Sequence, residues 1–188
     1  GEGEAEDYWC RRVRDAAFEQ VEQAADLGSD IHAALECATA GEPWDEERFG
    51  VYVRPVLDFI AREGMTVTAR EKRVVNGGHG FAGTTDLLFT DRDGRPGILD
   101  YKTKKTKPGE KVAAYDEHRL QLAAYAATEY GEERVGEVAA FNVFVSSTEP
   151  GRVEIIRHGD LTRDWQAFKM LASLWRYSKG YDPRFMGV

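Results

Sequence analysis

Residues 97–105, GILDYKTKK, read together with residues 83–86, GTTD, decide how this chain folds. Ile98 and Leu99 lead into Asp100, and Lys102 follows two residues later. Successive side chains of a β-strand point to opposite faces, so Asp100 and Lys102 project to the same side. Residues 81–90 predict the preceding strand, with Leu87, Leu88 and Phe89 following its own aspartate, Asp86. Between the two strands, residues 91–96, DRDGRP, carry turn chemistry, which makes the strands antiparallel neighbours. Asp86 then sits near the middle of one strand and meets Asp100 near the far end of the other. Charged groups are rarely placed where a sheet packs. Two carboxylates and an ammonium there make sense around a hard divalent cation. Taken alone, these residues also fit a solvated hairpin with an exposed Asp–Lys pair.

The neighbouring segments extend this hairpin into a domain. Residues 66–75 alternate as a first strand, and Asn76-Gly77-Gly78 is a hairpin turn signal. Upstream, residues 8–27 predict a helix, with Trp9, Val13, Ala17, Val21 and Ala24 at steps of three and four. Gly28-Ser29-Asp30 interrupts it, and Ser29 or Asp30 is placed to cap a second helix over 31–40. A third helix covers 46–63, with a restart or kink at Pro55. Downstream, residues 115–130 predict a helix, and residues 138–146 a strand apolar enough to be buried on both faces. A further strand follows over 152–157, then a last helix over 161–177 with Trp165, Phe168, Leu171, Leu174 and Trp175 on its apolar side. This order predicts an α/β domain: a mixed central β-sheet flanked by helices, with extra helices at the N-terminus.

Length and composition are compatible with one domain. The chain has 188 residues, 42% of them hydrophobic. Residues 1–7, GEGEAED, are expected to be disordered or an artificial end, residues 8–63 to form a helical N-terminal part, and residues 64–188 the α/β core. No apolar run is long enough to span a membrane, and no signal pattern opens the chain, so a cytoplasmic location is expected. Cys10 and Cys37 have no metal or disulfide spacing, which suits a reducing compartment. A net charge of −8 argues against a general polyanion binder. Residues 102–111 nevertheless hold Lys102, Lys104, Lys105, Lys107 and Lys111 against Glu110 alone, and the part after the strand, 104–111 with Pro108-Gly109, predicts a mobile flap over the substrate.

Further chemistry-bearing residues stand beside the Asp86, Asp100 and Lys102 set. His32 lies in GSDIH, four residues after Gly28, and Gln121 and Tyr125 in QLAAY share one helix face at i, i+4. Glu71 stands late in the first strand, and Gly83 offers a place for close approach. Read singly, each has an ordinary structural explanation. In order along the chain, GSDIH, GTTD, DYK followed by Thr103, and QLAAY resemble the motifs of the PD-(D/E)xK nuclease superfamily, RecB-like branch.

The resemblance implies a restriction-endonuclease-like core and metal-dependent cleavage of phosphodiester bonds in DNA, single-stranded or at duplex ends. It implies Mg²⁺ or Mn²⁺ held by His32, Asp86, Asp100 and the backbone carbonyl of Tyr101, with Asp86, Asp100 and Lys102 catalytic. Gln121, Tyr125, Thr103, Lys104 and Lys105 are the expected substrate contacts, with Glu71 and Ser29 as auxiliary residues. Two cysteines exclude the four-cysteine iron–sulfur cluster of some relatives, and no GxxxxGK[ST] loop is present. The expectation is therefore a stand-alone exonuclease of repair, recombination or phage replication. A restriction-type or structure-specific endonuclease and a non-catalytic nucleic-acid-binding subunit remain the alternatives, and a recombination or replication protein partner is left unspecified.

Overall fold

The computed structural model describes residues 26–184. The predicted helix over 8–27 thus lies almost wholly outside the described residues, as does the acidic segment 1–7. Helix α1 covers 26–40 without a break. The expected interruption at Gly28-Ser29-Asp30 does not occur, and Ser29 is not an N-cap. Burial of Ile31, Ala34 and Leu35 on this helix outweighs the ~1 kcal/mol that a helical glycine costs.

Helix α2 spans Glu46–Glu63. The Asp45 side chain accepts a hydrogen bond from the Arg48 N–H at 2.9 Å, and Gly64, with φ 67°, closes the other end in the left-handed conformation. Pro55 lies inside this helix, which runs on without the expected restart. Val53, Val56, Phe59 and Ile60 are buried on either side of it and hold the helix against the sheet.

Five strands form one sheet in the order β1 (Thr66–Asn76), β2 (Phe81–Thr90), β3 (Pro96–Lys104), β4 (Ala139–Ser146) and β5 (Val153–His158). β3 and β4 are parallel and the other pairs antiparallel. The parallel pair requires a crossover, supplied by α3 (Asp116–Tyr130) and a 3₁₀ turn over Glu132–Glu137. α4 (Thr162–Lys179) follows β5.

Strand alternation divides the core. Leu87, Phe89, Leu99, Phe141 and Val143 pack with α1 and α2. Leu88, Ile98 and Ala140 pack with α3 and α4. β4, between parallel and antiparallel neighbours, is buried at all eight positions, as its composition predicts.

One expectation is corrected. The segment after β3 is not a free flap. Its Thr106 N–H donates to Thr148 Oγ1 at 2.9 Å, the Thr106 carbonyl accepts from Thr148 Oγ1 at 2.7 Å, and Arg152 donates to the carbonyls of Lys107 and Glu110. These bonds tie the basic loop to the β4–β5 connection. On α4, Trp165 is buried, but Leu171, Leu174 and Trp175 are about half exposed. The helix runs past the sheet toward the β1–β2 turn, where these side chains line an open groove with Phe81 and Phe168.

At the base of α4, Glu132 accepts hydrogen bonds from His79 Nε2 at 2.8 Å, Trp165 Nε1 at 2.8 Å and Lys169 Nζ at 3.0 Å. One carboxylate thereby joins the β1–β2 turn, the crossover and α4. The bond from His79, followed by those from Trp165 and Lys169, lowers its pKa to about 2.

Candidate active site

The ladder between β2 and β3 ends at the Leu87–Leu99 pair. Beyond it the two strands part, β2 continuing against β1 and β3 against β4. Asp86 stands at this fork. Its Oδ2 accepts the Tyr101 N–H at 2.6 Å, so a side chain takes the place of a ladder carbonyl.

Two further groups converge on Asp86. From α1, His32 places Nδ1 3.9 Å from Asp86 Oδ2, its ring edge-on to that of Tyr101 at 5.9 Å between centroids. From β1 comes Glu71, whose φ of +41° is the one positive value at a non-glycine position among the described residues. Such a backbone costs on the order of 1–2 kcal/mol, and outliers of this kind gather at functional sites. One donor atom each from His32, Glu71 and Asp86 lie within 4.8 Å of one another. They open into a cleft of about 500 Å³ lined also by Gly28, Ser29 and Thr103.

The electrostatics of this trio are unbalanced. Burial, and then the Asp100 charge, push the Asp86 carboxyl up to about 7. Burial, Glu36 and Asp100 raise Glu71. Burial lowers His32 even though Asp100 attracts its charged form. Oxygen donors with one imidazole, short of positive charge, form a set that suits a hard or borderline divalent cation.

Asp100 is not one of the trio. It is 3% exposed, and its oxygens are engaged elsewhere. Lys102 Nζ lies 2.8 Å from Oδ1 and 2.7 Å from Oδ2, and Asn142 Nδ2 donates to Oδ2 at 2.8 Å. Lys102 also donates to Gln121 Oε1 at 3.2 Å, and Gln121 Nε2 donates to the Tyr125 hydroxyl at 3.3 Å. The predicted i, i+4 pair on α3 is thus connected to the lysine.

Tyr125 also explains the glycine of GTTD: a Cβ at Gly83 would lie 2.2 Å from its hydroxyl. Thr103 packs beside Gly28 on α1, and its Oγ1 is buried without a hydrogen-bond partner. Lys104 sets its ammonium 4.9 Å from the Tyr115 ring centroid, and Lys105 is exposed in the loop after β3.

Sequence reasoning passed over two residues at this site. Asn142, fully buried, is the register partner of Asp100 across the parallel pair. Its Oδ1 lies 2.7 Å from Nε2 of His158, which is 7% exposed. A lone amide in the apolar strand AAFNVFVS is a legible signal, because buried polar groups need partners. Nothing local marks His158.

Comparison with known proteins adds the family. A family model described as the PD-(D/E)XK nuclease superfamily matches residues 10–174. Among solved structures, the chain is similar to an alkaline exonuclease from Laribacter hongkongensis, with 17% identity and a TM-score of 0.40 over 81% of this chain and 83% of that one. It is similar also to a repair endonuclease from Pyrococcus abyssi, with 21% identity and a TM-score of 0.34 over 58% of this chain; the match spans 42% of that protein's length. No curated protein sequence matches.

Proposed function

The chain belongs to the PD-(D/E)XK nuclease superfamily, and on that premise we propose that it is a divalent-metal-dependent deoxyribonuclease, an exonuclease acting on single-stranded or end-processed DNA. The observation that carries this reading is the meeting of His32, Glu71 and Asp86 beside the Asp100–Lys102 pair. Repair, recombination or phage replication is the setting that such an activity suits.

His32, Glu71 and Asp86, with Asp100 beside them, would hold Mg²⁺ or Mn²⁺, and the Tyr101 carbonyl is the further oxygen that the family resemblance implies. When bound, the metal makes a water ligand more acidic and neutralises phosphate charge. The chain's own part is orientation and proton handling. Asp100 and Gln121 grip Lys102 from two directions, which fixes its ammonium next to the cluster. From there the Lys102 ammonium would donate a hydrogen bond to the oxygen of the attacking water, and its charge would favour the hydroxide form. Gln121 and Tyr125 extend this line of polar groups along α3 toward the scissile phosphate. Thr103, Lys104 and Lys105 continue the substrate path along the end of β3, and Ser29 lines the opposite wall.

Helix α1 closes one side of the cleft. A wall of this kind suits a single strand end better than a continuous duplex, and it favours the exonuclease over the endonuclease. The test is incubation of end-labelled linear and circular single-stranded DNA with Mg²⁺ or Mn²⁺. Linear DNA is expected to be degraded and circles to survive. Equal cutting of circles supports the endonuclease instead. Lys102→Ala is expected to lose turnover but keep Mn²⁺ binding by calorimetry, whereas Asp100→Ala loses both. Equal Mn²⁺ affinity in the two variants contradicts that division of roles.

A further inference from the structure

An asparagine within the otherwise apolar run 139–145 has no rationale in the apolar packing of β4. An apolar side chain of similar size would fill the same space without the cost of burying an amide. Yet Asn142 is fully buried in β4, and both ends of its side chain are engaged. We infer that Asn142 is a positioning residue for Asp100, and that His158 secures the far end of the Asn142 amide in that orientation. The inference rests on the nuclease reading of Asp100.

The chemistry of the three groups determines the direction of each hydrogen bond. The two ends of an amide are nearly alike in shape, so only its partners select its orientation. An ionised carboxylate accepts and does not donate. The Asn142 nitrogen therefore faces Asp100 Oδ2, at 2.8 Å. The Asn142 oxygen is left facing His158 Nε2, at 2.7 Å, and that nitrogen must carry the proton. Burial of the ring lowers its pKa to about 4, so at neutral pH it is an uncharged imidazole protonated on Nε2.

The result is a one-way sequence of donors: His158 to Asn142, and Asn142 to Asp100. Lys102 reaches both Asp100 oxygens from the same strand, and Asn142 holds Oδ2 from the neighbouring one. The carboxylate plane is thereby fixed from two directions. Without the His158 proton, the Asn142 oxygen is left buried without its donor, and the amide is held from one end instead of two.

The test compares the unaltered protein with Asn142→Leu, His158→Phe and His158→Gln. Three quantities are measured: melting without metal, Mn²⁺ affinity by calorimetry, and kcat and KM on end-labelled single-stranded DNA. Asn142→Leu and His158→Phe are each expected to lower kcat about 10- to 100-fold and weaken Mn²⁺ binding about tenfold, the usual cost of removing a group that orients a metal ligand. KM for DNA is expected to stay within about twofold, because uniform substrate binding is untouched. His158→Gln can still present an N–H to Asn142 and should recover most of the kcat lost in His158→Phe.

Unaltered kcat and Mn²⁺ affinity in Asn142→Leu would overturn the inference. So would His158→Gln impaired as badly as His158→Phe, because the direction of the hydrogen bond would then be irrelevant. If Asn142→Leu does not fold, the two His158 variants decide. Failure of the nuclease reading has a separate signature: the unaltered protein itself binds no Mn²⁺, and the role of Asn142 falls with it.

Discussion

Two carboxylate sites in this molecule, each with a histidine beside it, reach opposite electrostatic states. At Glu132, one carboxylate receives His79, Trp165 and Lys169, and its pKa is held at about 2. At the β2–β3 fork, Asp86 is pushed up to about 7 by burial and by another carboxylate. The first cluster is satisfied by the chain alone. The second collects acids faster than it collects donors, and its nearest imidazole is held toward the neutral form. Glu132 is supplied with three side-chain donors, whereas Asp86 receives the Tyr101 N–H and faces further carboxylates.

The sharpest way to break this comparison is Asp86→Asn. The amide keeps an oxygen for the Tyr101 N–H but removes a charge from the crowded fork. Metal-dependent DNA hydrolysis is expected to fall by about 10³-fold or more, because several kcal/mol of charge stabilisation is lost. In EDTA the variant should melt higher than the unaltered protein: relief of about 1 kcal/mol raises Tm by roughly 2–4 °C in a chain of this size. Added Mn²⁺ should raise the Tm of the unaltered protein by mass action and leave that of the variant nearly fixed. A lower Tm for the variant in EDTA would mean that the fork carries no electrostatic cost.

The sequence exposes this contrast only where the chemistry is local. Asp86, Asp100 and Lys102 are legible because alternation on two adjacent strands and a turn-forming connection are short-range rules. The i, i+4 spacing of Gln121 and Tyr125 is equally local, and the structure links both to Lys102. Glu71 is harder to read, because its place in the trio depends on a backbone at φ +41° that no residue type in VTAREKRVV announces. Asn142 meets Asp100 through the register of parallel strands separated by a crossover, which local patterns do not specify. At Gly28-Ser29-Asp30 the turn signal is real but weaker than the burial of Ile31 and Leu35. On α4 the apolar spacing is plain, but spacing does not reveal that the helix outruns the surface it packs on.

The satisfied cluster gives a smaller effect of opposite sign. Glu132→Gln keeps the side chain's shape but removes the charge that His79 and Lys169 approach. The Glu132 side chain is 47% exposed, so solvent screening limits the loss to about 1 kcal/mol, and DNA cleavage per folded molecule should be unchanged. The pH dependence follows from the direction of the shift. The pKa of Glu132 is lowered from 4.5 to about 2 in the folded chain, so its stabilisation is fully present above pH 4.5 and is lost as pH falls toward 2. Denaturant titrations should therefore separate the two proteins at pH 6 and bring them together as pH approaches 2. A gap that stays constant across that window would mean that packing, not charge, accounts for the difference.

The smallest effect is expected from Lys104, Lys105 and Lys107, and it tests whether the protein supplies positive charge near the fork for DNA. The loop that carries two of them is anchored through Thr106 and Arg152, so their ammonium groups stand on a fixed support. Lys104 is partly engaged with Tyr115, whereas Lys105 and Lys107 are exposed and free to meet phosphates. Each lysine that contacts a phosphate releases counterions on binding, and its loss should reduce the slope of log affinity against log salt by about 0.7 for a single strand. Replacing all three by alanine should therefore reduce the slope by about 1 to 2 and weaken binding most at low salt, read by fluorescence anisotropy on a short labelled oligonucleotide in Ca²⁺. An unchanged slope would place the loop away from the strand and leave metal-neutralised carboxylates as the only attraction at the fork. A chain with net charge −8 repels DNA overall, so that result would have to appear also as weak binding at every salt concentration.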